Sequence, residues 1–160
     1  MGTFEIRAAR NGDETLIVTL LRELAEYEKL LDRFRITPEI VLRDYLAERP
    51  LVFCDLAFDG VEPAGIATWF WTYGSFAAMR RIFLCDLFVR PQFRGRSCGR
   101  ALIANLAKRV LAHDGSGIDW EVLDWNRPSI DFYEGLGAAP NRGWIAYGIS
   151  GEALTRLANS

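Results

Sequence analysis

From Thr3 the run TFEIRAA alternates apolar and polar side chains, the period of a half-buried strand. Asn11 or Asp13 then offers an N-cap. Leu16, Leu20, Leu21, Leu24 and Tyr27 recur at helical spacing and predict a long helix with one apolar stripe. Thr37 before Pro38 predicts the cap and first turn of a second, short helix. LVFCDLAF, PAGIATWFWTY and RRIFLCDLFV follow as runs rich in β-branched and aromatic residues, the first two joined around Asp59 and Gly60. Their order predicts an antiparallel meander. The third run ends at Arg90 and Pro91, passes through a glycine-containing turn, and enters a helix whose expected apolar stripe is Leu102, Ile103, Leu106, Val110 and Leu111. Beyond it GIDWEVL reads as a strand, NRPS as the start of a helix, and WIAYGIS as a last strand.

Strand, helix and strand in succession imply a right-handed crossover between parallel strands. The expected fold is therefore α/β: a mixed, mostly antiparallel central sheet with one parallel strand-helix-strand unit and helices on both faces. The 160 residues contain no repeat, no low-complexity tract and no Ser-, Pro- or Gly-rich linker. One domain over residues 1–160 is expected, long enough to fold without disulfides or metal.

Composition narrows the function classes. The cysteines Cys54, Cys85 and Cys98 are odd in number and scattered, which argues against a disulfide framework. With a single histidine, His113, and no CxxC spacing, no metal site is expected. The N-terminal stretch MGTFEIRAAR lacks the apolar core of a signal peptide, and Ile6 stands where a myristoylation signal needs Ser or Thr. The longest apolar runs are too short to span a bilayer. A reduced, cytoplasmic setting with no membrane partner is expected. A formal charge of −2 argues against a nucleic-acid partner.

Locally the charge reverses. Arg90, Arg94, Arg96, Arg100, Lys108 and Arg109 crowd residues 90–113 without one carboxylate among them. A run of this kind on a helix is ordinarily a solvated face. Here it surrounds RGRSCGRAL, where Gly95 and Gly99 let backbone approach an anion and a helix N-terminus offers unbonded N–H groups. Those features describe a diphosphate cradle. The Walker pattern fails, because Gly99 is followed by Arg100 and Ala101. A dinucleotide fingerprint fails too, since the turn holds only two glycines and follows an antiparallel meander. Asp119, at the distance of a ribose-binding acid, reads as an ordinary strand-end residue.

RGRSCGRAL does resemble the acetyl-CoA-binding signature of the GNAT superfamily of N-acetyltransferases, with Arg94 and Gly99 in their places and Ser97 where a glycine is usual. IRAARNGD with LLRELAEYEKL, then WFWTY, FLCDLFV, VLDWNRPSIDFYEGLGA and a late GW are similar, in order and spacing, to the spermidine/spermine and thialysine acetyltransferase branch. Nearly the whole chain is covered. The resemblance implies an acetyl-CoA-dependent enzyme that acetylates a small amine by direct attack, and a homodimer whose interface lies near WIAYGIS and the segment after it.

It also implies roles. Leu87, Phe88 and Val89 run beside the pantetheine arm, and a backbone N–H at a bulge of that strand faces the thioester oxygen. Backbone at Arg94, Gly95, Arg96, Ser97, Cys98, Gly99 and Arg100 holds the diphosphate, while Asn126 and Ser129 hold the lower pantetheine. Tyr133 protonates the departing thiolate; by pattern alone it is equally an aromatic on the buried face of a short helix, spaced with Ile130 and Leu136. Where the polyamine enzymes carry adjacent Glu and Asp, this chain has Cys85 and Asp86. Gly74 and Arg142 likewise stand where acids are expected. The lost negative charge disfavours a polyamine and leaves Glu28, Cys85, Asp86, Arg142 and Trp144 to meet an amino acid or monoamine, with Arg142 facing a carboxylate. Cys85 reads as a buried strand residue rather than an acyl-carrying nucleophile. Cys98, inside the basic turn, is expected to have a lowered pKa. The alternative function is a non-catalytic acyl-CoA-binding or regulatory protein on the same fold.

Overall fold

The computed structural model describes residues 4–160. These residues fall into two compact units, one ending at Glu121 and the other spanning Val122–Ser160. The predicted strand TFEIRAA begins at Thr3, outside the described residues. From Phe4 onward the first unit runs β1 (Glu5–Ala8), α1 (Glu14–Tyr27), α2 (Pro38–Asp44), β2 (Phe53–Asp59), β3 (Glu62–Gly74), β4 (Met79–Val89), α3 (Cys98–Ala112) and β5 (Gly117–Trp120). The strands form one sheet in the order β1-β2-β3-β4-β5. Every neighbouring pair is antiparallel except β4 and β5, which are parallel across α3. The expected mixed sheet with one strand-helix-strand unit is therefore present.

Each face of the sheet carries its own apolar cluster. Cys98, Leu102, Leu106 and Val110 of α3 pack with Ala67, Trp69, Ile82 and Leu84 on one face. Ile17, Leu20, Leu21 and Leu24 of α1 and Val41 of α2 pack with Cys54, Leu56, Ile66 and Phe88 on the other. Leu111, expected in the α3 stripe, is instead exposed, because the i, i+4 row of Leu102, Leu106 and Val110 already faces the sheet and Leu111 lies about 100° around the helix from Val110. Asp13 stands at the N-cap position of α1 without capping it. Its carboxylate instead accepts two bonds from the Arg7 guanidinium, at 2.7 and 2.9 Å, and one from the Arg10 N–H, tying β1 to α1. Thr37 does cap α2, accepting from the Ile40 N–H at 3.3 Å.

Two positions depend on glycine. A Cβ at Gly65 of β3 would stand 2.6 Å from the Phe88 carbonyl oxygen, so β3 and β4 approach as they do only because that atom is missing. Gly95, at φ +71°, takes the left-handed conformation that turns the chain into α3.

The second unit contains α4 (Arg127–Glu134) and α5 (Gly151–Ala158). The strand expected from WIAYGIS is absent: residues 144–150 have no regular structure among the described residues. Alternation makes a strand only where a neighbour accepts its backbone hydrogen bonds, and none of the five strands pairs with this segment. Among the described residues no helix is long and apolar enough to cross a membrane.

Candidate active site

The pairing of β3 with β4 slips by one residue at a single place. Thr68 stands opposite Asp86 and Trp69 opposite Leu84, so Cys85 is an extra residue on β4, a β-bulge. A bulge reverses the side-chain phase. Ile82 and Leu84 face α3, and two residues on from Leu84 an unbroken strand would aim Asp86 into that same apolar cluster. Beyond the bulge it is Leu87 and Val89 that join the α3 face, while Phe88 joins the α1 and α2 face. Asp86, one step in phase with Phe88, is turned to the side where α1 ends beside Glu28 and α2 ends at Tyr45.

The groups gathered there perturb one another. Burial pushes the Glu28 carboxyl above its ordinary pKa, and the nearby Asp86 charge adds to the shift. Burial raises Asp86 as well, against the opposing pull of a hydrogen bond donated by the Thr68 hydroxyl to Oδ2. The Tyr45 phenol is pushed upward by burial first and by Asp86 second. Cys85 is exposed rather than buried, because the bulge takes it out of the ladder. Its thiol is nonetheless raised to about 11, by partial desolvation and then by Asp86, so it is a poor nucleophile at neutral pH.

The same bulge opens the sheet. β5 accompanies β4 only from Arg81 to Leu84. Residues 85–89 run on with β3 at one side and no strand of the sheet at the other, leaving a main-chain edge beside Leu87, Phe88 and Val89. The predicted strand GIDWEVL accordingly stops at Trp120, opposite Leu84, the last β4 residue before the bulge.

At the far end of β4 the chain enters the basic turn. Gly95 and Ser97 both have positive φ, +71° and +68°, and Ser97 precedes the first turn of α3. For a residue with a side chain that conformation costs about 1 kcal/mol, a burden the glycine usual at this place would not carry. The turn leaves the N–H groups at the start of α3 without helical partners, as every helix N-terminus does. The arginines contribute less field than their number suggests. Arg90 is paired with Glu23 at 2.7 Å, Arg96 with Asp59 at 2.7 Å and Arg109 with Asp55 at 3.1 Å. Arg94 turns back to the Val89 carbonyl oxygen at 2.9 Å and lies over the Tyr27 ring. Arg100 is exposed and makes no ion pair among the described residues. Main-chain amides, with Arg100 as the one unpaired guanidinium among the described arginines of the turn, are what it presents to an anion. Cys98 departs from expectation: it is buried, and burial raises its thiol to about 11 although Arg96 pulls the other way.

In the second unit the buried Asn126 caps α4, its Oδ1 accepting from the Ser129 N–H at 3.4 Å. Tyr133 is half-buried on that helix with its ring 5.3 Å from that of Phe132. Arg142 and Trp144 lie in the exposed, irregular segment before α5. Among the described residues no three His, Cys, Asp or Glu side chains gather as metal ligands would.

A bulged β4, an edge opened beside it, and a left-handed turn into the following helix are joined by a match of residues 17–138 to the model of the acetyltransferase (GNAT) family. The chain belongs to that family. A thialysine N-epsilon-acetyltransferase of Bos taurus is 35% identical over 164 residues, spanning 96% of this chain and 96% of its own length. An L-ornithine N5-acetyltransferase of Arabidopsis thaliana is 33% identical over 97 residues, 61% of this chain and 42% of that protein. In fold the chain is similar to an integron cassette protein from the mobile metagenome of V. cholerae, with a TM-score of 0.83, 23% identity, and coverage of 100% of this chain and 99% of the other. GNAT membership agrees with the resemblance read from RGRSCGRAL and its flanking motifs.

Thr68 and Tyr45 are site residues that sequence reading passed over. Thr68 is a polar residue inside the apolar run IATWFW, which is a signal; its partner is visible only once the strands are in register.

Proposed function

We propose that this family member is an acetyl-CoA-dependent N-acetyltransferase in which residues 1–160 form a single catalytic domain acting on a small amine by direct attack. One observation carries the reading: the Cys85 bulge both turns Asp86 toward Glu28 and opens the strand edge along which an acyl-CoA would lie. The family match, over residues 17–138, runs from the first compact unit into the second, which supports treating them as one functional domain.

Acetyl-CoA would supply an activated acetyl thioester, with its pantetheine amides along Leu87, Phe88 and Val89 and at Asn126 and Ser129, and its diphosphate on the main chain of residues 94–100. The open β4 edge and the left-handed entry to α3 fit such a molecule, since both offer N–H groups without partners in sheet or helix.

The rest is done by the chain. An amine with a lysine-like pKa of about 10.4 is protonated at neutral pH, and freeing its lone pair costs about 4 to 5 kcal/mol without help. Asp86 takes that proton. Its raised pKa makes it a stronger base than a surface carboxylate, and Glu28 beside it holds the cationic amine before transfer. A main-chain N–H at the bulge stabilises the carbonyl oxygen as charge grows on it. Tyr133 returns a proton to the thiolate.

The acceptor proposed is the side-chain amine of a small diamino acid, in preference to a polyamine. Two relatives are named for thialysine and ornithine, each of which carries a carboxylate as well as an amine. Arg142 answers that carboxylate, and Trp144 borders it. The setting proposed is cytoplasmic.

The test is a thiol-release assay over ornithine, lysine, thialysine, monoamines and spermidine, with calorimetry of acetyl-CoA binding beside it. Turnover is expected on the diamino acids above spermidine, and Gly99→Leu is expected to weaken acetyl-CoA binding at least tenfold by obstructing the start of α3. Binding of acetyl-CoA with no turnover on any amine would instead establish the non-catalytic acyl-CoA-binding alternative.

A homodimer is proposed as well. Trp144, Ile145 and Tyr147 are 79–92% exposed, and Leu154 and Leu157 of α5 are exposed too, a run of apolar surface that a second copy of the chain would cover. Sedimentation at micromolar concentration should give twice the chain mass, and Trp144→Ser with Tyr147→Ser should return it to the monomer.

A further inference from the structure

Asp86 is poorly supported for a group that must carry charge. From α1 it faces Glu28, from α2 Tyr45, from β2 Cys54, and on its own strand Cys85; each registers its charge as an unfavourable neighbour and none is a cation. Its one hydrogen-bond donor among the described residues is the Thr68 hydroxyl. Thr68 is fully buried in the middle of β3, directly opposite Asp86, with Cys54 opposite it on the other side. On the same face of β3 stands Ile66, in the apolar cluster with Cys54 and Phe88, so a buried hydroxyl at Thr68 needs a polar partner that packing alone would not call for.

We infer that Thr68 is the positioning residue of the acetyl-transfer reaction: by donating to Oδ2 of Asp86 it fixes that carboxylate across the strand pair and leaves Oδ1 to receive the amine proton. This rests on the reading of Asp86 as the base. The arrangement balances two demands. Burial raises the Asp86 pKa and so disfavours its charged form, while the Thr68 bond opposes that rise and favours the charged form. The Cys85 thiol also lies within reach of the same hydroxyl, so a neutral thiol, where a second carboxylate would compete, leaves the Thr68 proton to Asp86.

The experiment is kcat against pH, at saturating acetyl-CoA and amine, for the full chain and for Thr68→Val, Thr68→Ala, Thr68→Ser and Asp86→Asn. The acid limb of Thr68→Val and Thr68→Ala is expected to move up by about one pH unit, so that kcat at a fixed pH within the limb falls about tenfold. Thr68→Ser is expected to bring the limb back, and acetyl-CoA affinity is expected to stay unchanged throughout. An unmoved limb in whichever of the Val and Ala variants folds, or a limb in Thr68→Ser displaced as far as in Thr68→Val, overturns the inference. Should Asp86→Asn keep both the rate and the limb, the base itself has been misassigned and the role of Thr68 goes with it. Loss of rate in Asp86→Asn with an unmoved limb in Thr68→Val leaves the base standing and removes Thr68 alone.

Discussion

Asp86→Asn is expected to lower kcat on the preferred amine by about a hundredfold to ten-thousandfold, the usual worth of a positioned general base, while binding acetyl-CoA as tightly as before. Asparagine matches the shape of aspartate and still accepts the Thr68 hydroxyl bond, so the β3–β4 pairing should survive. Only the capacity to take a proton is lost. The same substitution should raise the melting temperature near neutral pH. A carboxyl whose folded pKa is raised lends the fold its full contribution below the unfolded value of about 3.9 and loses it as pH rises through the folded pKa. Above that folded pKa the charged Asp86 is thus a net cost that asparagine removes. For a chain of this length each kcal/mol recovered raises the melting temperature by about 2–4 °C. The difference between variant and wild type should shrink as pH is lowered toward 4. Thermal melts at pH 4 and pH 7 check the sign, and an inactive variant that is also less stable at pH 7 would show Asp86 to be a structural residue.

Tyr133→Phe is expected to reduce kcat about a hundredfold or more, again without loss of acetyl-CoA affinity. A thiol of pKa about 8.5 leaves as an anion unless a proton arrives with it, and a phenol, at about 10, holds its proton until that charge develops. The defect should narrow as assays move above pH 8.5, where the free thiolate is the stable product and protonation no longer helps. An unchanged kcat at pH 7 would return Tyr133 to the other role its pattern allowed, an aromatic packed on α4 near Phe132.

Much of the site can be read in one dimension because its binding elements are local. Thr37 and Pro38 specify a helix start within two residues of each other, and Asn126 does the same for α4. Gly95, Ser97 and Gly99 sit where strand gives way to helix, and a turn of that kind needs no distant partner to be recognised. Cys98 and the arginines misled for the opposite reason. Whether Arg90, Arg96 and Arg109 are free depends on Glu23, Asp59 and Asp55, which lie far off in the chain, and whether Cys98 is ionisable depends on how deeply the first turn of α3 is buried.

Hydrophobic period and turn chemistry by themselves determined the order of elements from β1 to α4, with an antiparallel meander followed by a parallel strand, and the residues of the turn carried the resemblance to the GNAT family. Those are properties of neighbouring residues, and periodicity encodes them directly. Only the tertiary structure decided that Cys85 is a bulge, that Asp86 therefore faces Glu28 and Thr68 rather than the α3 core, and that residues 144–150 do not add a strand. The physical reason is common to all three. A strand's register, and the face each of its side chains takes, are set by the strand lying next to it, and no residue carries that information alone.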